Sequence, residues 1–258
     1  MRTFSGLLTV SYGLRLAGDL QGGARGSGGD PRGQLHVDDS APPTSIHAPG
    51  IQGKARLSGM SAVWFTSDLH LGHRFVAGLR GFDTTEEHDE TILGNLQTLL
   101  RPGDVLWVLG DLSAGRSEQE ERALTLIGER LGGVEKHLIP GNHDSCHPLF
   151  RNAYRRQSRF LQVFDSVQAF QKLRWSGTDV YMSHFPRPGQ DHVGMESRYD
   201  DLRLTVPLLI HGHLHSTFPV TGRGQVDVGV EAWNLQPVPR ELLEETLWES
   251  LDRYPGLE

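Results

Sequence analysis

Ser61-Ala62-Val63-Trp64-Phe65-Thr66-Ser67-Asp68-Leu69-His70 is the stretch from which the fold can be read. Its first half is a short run of apolar, aromatic and β-branched residues that stops at a polar loop, the pattern of a buried strand. The loop opens on Asp68-x-His70. In extended chain, residues two apart point the same way, so this carboxylate and this imidazole can share one target.

Upstream, the chain changes character. Residues 1–59 hold 12 of the 31 glycines but only 2 of the 13 histidines. Residues 18–33 are mostly Gly, Ala, Ser, Arg and Asp, and Pro42, Pro43 and Pro49 follow. So little apolar surface does not offset the entropy of ordering the segment. The expectation is a disordered extension over 1–59 and a catalytic domain over 60–258, with Met60 as a candidate true start. The extension has six basic and four acidic residues, net +2, against 19 basic and 28 acidic in the remainder, net -9. An acidic body argues against tight non-specific nucleic-acid binding. A single cysteine excludes an internal disulfide framework and fits a reducing compartment, so the expected location is cytoplasmic. No apolar run approaches the roughly 20 residues of a membrane span.

Downstream, strands alternate with helices. Thr84 or Thr85 can cap a helix to about Leu100, with Ile92, Leu93, Leu96, Leu99 and Leu100 on one face. Val105–Leu109 reads as a strand. Ser117 with Glu120 is a capping-box pattern for a helix that turns Ala123, Leu124, Ile127 and Leu131 inward. His137–Ile139 is a third strand, and a helix is expected near 147–160. Ser166–Arg174 and Asp179–Ser183 form an expected hairpin around Ser176-Gly177. Leu208–His211 is a further strand, and 217–229 a second hairpin around Gly222–Gly224. Pro239 suits the first turn of a final helix. The order of elements predicts an α/β fold.

The informative residues follow strand ends: Asp68-Leu69-His70, Gly110-Asp111, Gly141-Asn142-His143-Asp144, His184, and Gly212-His213-Leu214-His215. Loops at strand ends are where α/β folds build sites. Carboxylates, imidazoles and one amide oxygen, with no thiolate, suit divalent ions such as Mn, Fe or Zn. Asp68, His70, Asp111, Asn142, His184, His213 and His215 are too many ligands for one zinc, and suit two metals that share a carboxylate. Glycines beside Asp111, Asn142 and His213 permit sharp turns or close approach.

These five blocks, in this order, resemble the calcineurin-like metallophosphoesterases over about residues 61–245. The runs Phe65–His73 and Val228-Gly229-Val230-Glu231-Ala232-Trp233-Asn234 also resemble a small phage and bacterial subgroup of that family. The resemblance implies a four-layer α/β/β/α sandwich of two mixed sheets. It implies two divalent metal ions, the first held by Asp68, His70 and His215, the second by Asn142, His184 and His213, with Asp111 as the bridge. It implies hydrolysis of a phosphoester by in-line attack of a hydroxide shared between the ions. His143 would face the phosphate as a catalytic residue, with Asp144 orienting it.

His73 and Arg74, after the first metal loop, and Arg187, after His184, are candidate substrate contacts. His211 is expected in the core, and His88, His137, His147 and His192 on the surface. Arg151, Arg155 and Arg159, with Arg156 beside them, could form one solvated helix face. Cys146 reads as inert, and Trp233 and Asn234 as packing or capping residues. Phosphodiesters are weakly favoured over monoesters, because no arginine-rich motif offers a pocket for a dianion. Two alternatives are a nuclease acting on short or single-stranded nucleic acid, for which nucleic acid is substrate only, and a non-catalytic scaffold.

Overall fold

A computed structural model describes residues 61–253. The segment 1–59 lies outside the described residues. Among these residues, ten strands form two mixed five-stranded sheets. In the first, β1 (Val63–Thr66), β2 (Val105–Val108), β3 (Glu135–Leu138) and β4 (Ser166–Val167) run parallel, and β10 (Val238–Pro239) pairs antiparallel with β1. In the second, β6 (Thr178–Met182), β7 (Leu209–His211) and β9 (Gln225–Asp227) are parallel neighbours. The antiparallel strands β5 (Gln171–Trp175) and β8 (Val220–Gly222) close its two edges.

Side-chain alternation along β1 shows how the layers meet. Trp64 joins a core cluster with Ile92, Leu96, Leu124 and Ile127, which belong to helices α2 (Thr85–Leu99) and α3 (Ser117–Arg130). Phe65, one residue on, points the other way. It joins Trp175, Val180, Met182, Ile210 and Val226 of the second sheet, together with Leu243 and Leu247 of α5 (Arg240–Arg253). The first sheet is therefore buried on both faces, as parallel strands require. The expected sandwich of two mixed sheets flanked by helices is the one observed. No helix among the described residues is long and apolar enough to cross a membrane.

Several local expectations need correction. The run 166–174 is not one strand: Ser166–Val167 closes the first sheet, and Gln171–Trp175 opens the second. Ser117 does not cap α3. Arg116 is the N-cap, without a side-chain bond, and the Glu120 carboxylate instead accepts from Ser145 N–H at 2.8 Å and Arg156 at 2.7 Å. The tertiary partner outcompeted the local motif. The helix expected from 147 begins only at Ala153, as α4 (Ala153–Phe160). Pro239 ends edge strand β10 rather than starting α5. A short helix, α1 (Arg74–Leu79), occupies what reads as loop, with His73 Nδ1 accepting from Val76 N–H.

His88 and His147 are buried, not surface residues. His88 lies on the inward face of α2, four residues before Ile92, and pairs with Asp89 at 3.0 Å. His147 packs on Phe185, and burial holds its pKa down, at about 4. His137 and His192 are half-buried. Cys146 is buried, and burial raises its thiol pKa far from reactivity. Arg156 and Arg159 of α4 are tied to Glu120 and Glu121, so that face carries less free positive charge than the sequence suggests.

Candidate metal centre

The loops after β1, β2 and β3 lie side by side because backbone bonds continue past the strand ends. Asp68 N–H donates to Gly110 O, and His70 N–H to Asp111 O, each at 3.0 Å. In the second sheet, Gly212 N–H donates to His184 O at 3.0 Å. Side-chain bonds join the sheets here: His213 N–H donates to Asp68 Oδ2 at 2.9 Å, and His184 Nδ1 lies 2.6 Å from Leu109 O.

Glycine is obligatory where these loops touch. A Cβ on Gly212 would stand 2.0 Å from Ser67 Oγ and 2.6 Å from Asp68 Oδ2. One on Gly141 would stand 2.2 Å from Asp111 Oδ1. Five of the nine described non-glycine residues with positive φ are Asp68, His70, Asp111, His213 and His215. Such conformations are costly and concentrate where side-chain aim matters more than backbone comfort.

The seven predicted ligands converge in part into two overlapping groups. Ligand atoms of Asp68, His70 and His215 lie within 4.8 Å of one another, as do those of Asp68, Asp111 and His184. Asp111 sits between the groups: its Oδ2 is 3.7 Å from His70 Nε2, and its Oδ1 3.6 Å from His184 Nε2. Asn142 Oδ1 is 3.2 Å from His184 Nε2. The His213 ring centroid is 5.3 Å from that of His184, but its Nε2 faces Asp191 Oδ1 at 3.2 Å, in a separate group of Asp191, His192 and His213.

The donor set fits divalent cations. Asp68 is fully buried, and its Oδ1 has no hydrogen-bond partner. Uncompensated, such an atom is expensive. Burial also raises the Asp68 pKa. His70 Nδ1 faces Ser113 O, and His215 Nδ1 faces Glu231 Oε1 at 2.7 Å, so each ring turns Nε2 inward. The two Nε2 atoms are 3.0 Å apart. Only a proton or a cation between them relieves that approach. Burial, then the nearby His215, keeps His70 well below its usual value. Burial also acts to lower His215, but the hydrogen bond and charge of Glu231 outweigh it and lift His215 to about 9. Glu231 is itself held at about 2, because Arg80 and His215 overcome the effect of its burial.

This pair has a pH signature. A folded-state pKa above the unfolded value stabilises the fold fully below the unfolded value, near 6.5, and that stability is lost as pH rises through about 9. Urea midpoints of chelator-treated protein should therefore drop between pH 6.5 and 9.5, and drop less in Glu231→Gln. Equal slopes in the two proteins would show that the pair is not formed.

Around the centre, the His143 imidazole is partly open. Its Nε2 lies 3.9 Å from Asp111 Oδ2, its side chain is 36% exposed, and the backbone N–H of His143 donates to Asp111 Oδ1 at 2.9 Å. The His73 ring lies 5.3 Å from that of His70 and 6.2 Å from that of His143. Arg74 is exposed and lines a cleft of about 540 Å³ with Asp83, Glu86, Glu118 and Arg122. That cleft borders Gly72 but includes none of the predicted ligands. Two expectations are not met. Asp144 does not orient His143: its carboxylate accepts from the N–H groups of Asp111, Leu112 and Gly141, bracing two loops from below. Burial and then the Asp111 charge raise its pKa to about 7. The guanidinium of Arg187 is committed to the carbonyls of Val206, Pro207, Arg223 and Gly224, so it ties loops together. His211 is buried as expected, between Gly212 O and Thr221 Oγ1, with its pKa pressed down by burial to about 3.

Sequence reading missed Glu231, Arg80 and Asp191. Glu231 had a signal, a lone acid in the apolar run 228–233, where an unpaired charge would be costly. Asp191 lies in a polar loop and had none.

The calcineurin-like phosphoesterase family profile matches residues 61–217. The chain is 38% identical over 187 residues to the Gene 66 protein of Mycobacterium phage L5, covering 67% of this chain and 88% of that protein. It is also 38% identical over 185 residues to the Gene 66 protein of Mycobacterium phage D29, covering 68% and 90%. A protein of unknown function from Aquifex aeolicus, AQ665, shares the fold. Its TM-score is 0.55 at 22% identity, over 72% of this chain and all of that one.

Proposed function

This chain belongs to the calcineurin-like phosphoesterase family, and from that premise we propose that it is a dinuclear metal-dependent hydrolase, with phosphodiesters weakly favoured over monoesters. The observation that carries the reading is Asp111, whose two oxygens face two different imidazoles, His70 and His184. A single-ion site has no need of a carboxylate so placed. Asp68, His70 and His215 would hold the first ion, Asn142, His184 and His213 the second, and Asp111 both. Bound there, two divalent ions such as Mn, Fe or Zn supply Lewis acidity toward phosphate oxygens and lower the pKa of a coordinated water. The protein contributes rigid aim. Asp144 and the glycines hold the loops, and Ser113 O and Leu109 O fix the inward tautomers of His70 and His184. His143, partly exposed beside Asp111, would meet a phosphate oxygen or the leaving group.

The diester preference is supported by where the arginines go. Arg80, Arg187, Arg198 and Arg203 each bind carboxylates or backbone carbonyls, so none of these four is free for a dianionic phosphate. His73 and Arg74 remain candidate substrate contacts. The family match spans residues 61–217, and its start supports a catalytic domain that begins near residue 60, with 1–59 as an extension to it. Chelator-treated protein should lose hydrolysis of an aryl phosphodiester and regain it on addition of Mn. Turnover that survives chelation would overturn the metal-dependent reading.

A further inference from the structure

Four imidazoles are proposed as metal ligands, and their outward nitrogens meet two kinds of acceptor. His70 and His184 face neutral backbone carbonyls, Ser113 O at 3.2 Å and Leu109 O at 2.6 Å. His215 and His213 face carboxylates, Glu231 at 2.7 Å and Asp191 at 3.2 Å. Each proposed ion thus has one carbonyl-backed and one carboxylate-backed histidine.

Each carboxylate is held by arginine, Glu231 by one and Asp191 by two. Glu231 Oε1 accepts from Arg80 Nε at 2.9 Å and from its terminal nitrogen at 2.6 Å. Arg80 also donates to Asp68 O and Leu69 O, so it binds the first ligand loop and the histidine partner together. Asp191 Oδ2 accepts from Arg203 at 3.2 Å and from Arg198 Nε at 3.3 Å. The side chains of Asp191 and Arg203 are both 0% exposed. A buried carboxylate without such a cation would be severely destabilising. With it, the carboxylate keeps its charge and still accepts from a histidine N–H.

We propose that Glu231 and Asp191 are positioning residues, which fix the tautomers of His215 and His213 and strengthen them as ligands, one arginine-held carboxylate for each ion. The proposal rests on the dinuclear reading above. The group of Asp191, His192 and His213 invites another interpretation, a third cation site. Both oxygens of Asp191 already accept from guanidinium groups, and a further cation there would face two arginines at close range. The buttress is the better account. It also assigns nitrogens: with Nδ1 of His215 and Nε2 of His213 given to carboxylates, the opposite nitrogen of each ring is left for an ion.

Calorimetry with Mn²⁺ alone on the full chain is the test. The wild type should bind two ions. Glu231→Gln and Asp191→Asn keep side-chain size, remove the charge and turn one acceptor oxygen into a donor. Each should weaken one ion by about 10- to 100-fold, the cost typical of a lost ligand partner, and leave the other within about threefold. The double variant should weaken both. A merely structural role would instead weaken both ions together in each single variant, and that result, or affinities within twofold of wild type, overturns the proposal. Long-range ¹H–¹⁵N histidine spectra of the zinc-loaded wild type give a readout that needs no variant. His215 should carry its proton on Nδ1 and His213 on Nε2, and the reverse assignment for either also overturns it. Fewer than two ions on the wild type would defeat the dinuclear reading itself, a failure distinct from that of the buttresses, and would remove the basis for the proposal.

Discussion

Asp111→Ala should lower phosphodiester turnover at saturating Mn by at least about 10³-fold, the largest catalytic loss expected of any single substitution here. Asp111 is the group that both halves of the centre face, through different oxygens. Its removal also frees the backbone N–H of His143, which donates to Asp111 Oδ1. Asp111→Asn is the sharper variant, because it keeps the shape and removes the charge that two cations would share. Stability should change far less than turnover, since the loop is held by Asp144 through backbone N–H groups. The measurement is kcat against thermal midpoint. Turnover within tenfold of wild type would mean that this carboxylate does not serve the chemistry.

Gly212→Ala should be the most damaging substitution per atom added. The new methyl would meet Ser67 Oγ at 2.0 Å and Asp68 Oδ2 at 2.6 Å, far inside van der Waals contact. Ser67 is buried and donates to Leu109 O at 2.7 Å, so it has little freedom to give way. Overpacking of this kind costs about 1–3 kcal/mol or more. Here it also pushes the two sheets apart where Asp68 and His213 meet, so loss of activity should accompany loss of stability. Gly94→Ala is the control. It lies inside α2 with nothing within 4 Å of the added carbon, and should be neutral or stabilising by up to about 1 kcal/mol. A melting scan of both variants, with activity alongside, settles it. A Gly212→Ala protein that melts and turns over like wild type would mean that the loops approach less closely than described.

Much of the site was legible in the sequence because its chemistry sits at strand ends, where short apolar runs announce a strand and the next polar residues announce a loop. The core strands β1, β2, β3 and β7 and helices α2 and α3 follow from the same patterning. What escaped is what depends on partners far along the chain. Glu120 looked like half of a capping box, but Ser145 and Arg156 recruited it across 25 and 36 residues. Ser166–Arg174 has the composition of one strand, yet two sheets compete for it, and composition does not say which wins. Asp144 lies beside His143, and adjacency suggested partnership; the free N–H groups of two sharp loops needed a carboxylate more. Glu231 and Asp191 reach their imidazoles across 16 and 22 residues. For His88 the signal is in the sequence, because the helical period that places Ile92 and Leu96 inward places His88 there too.

The five left-handed residues at the centre have a consequence for how this protein could change over generations. Each such conformation costs about 1–3 kcal/mol relative to a residue at ease there. Glycine, or asparagine to a lesser degree, would relieve that cost at Asp68, His70, Asp111, His213 or His215. Every one of those glycine replacements removes a proposed ligand, and asparagine at Asp68 or Asp111 removes the negative charge of one. Selection for thermal tolerance alone, without a demand for turnover, would therefore enrich lineages in which this centre decays first while the sandwich around it survives.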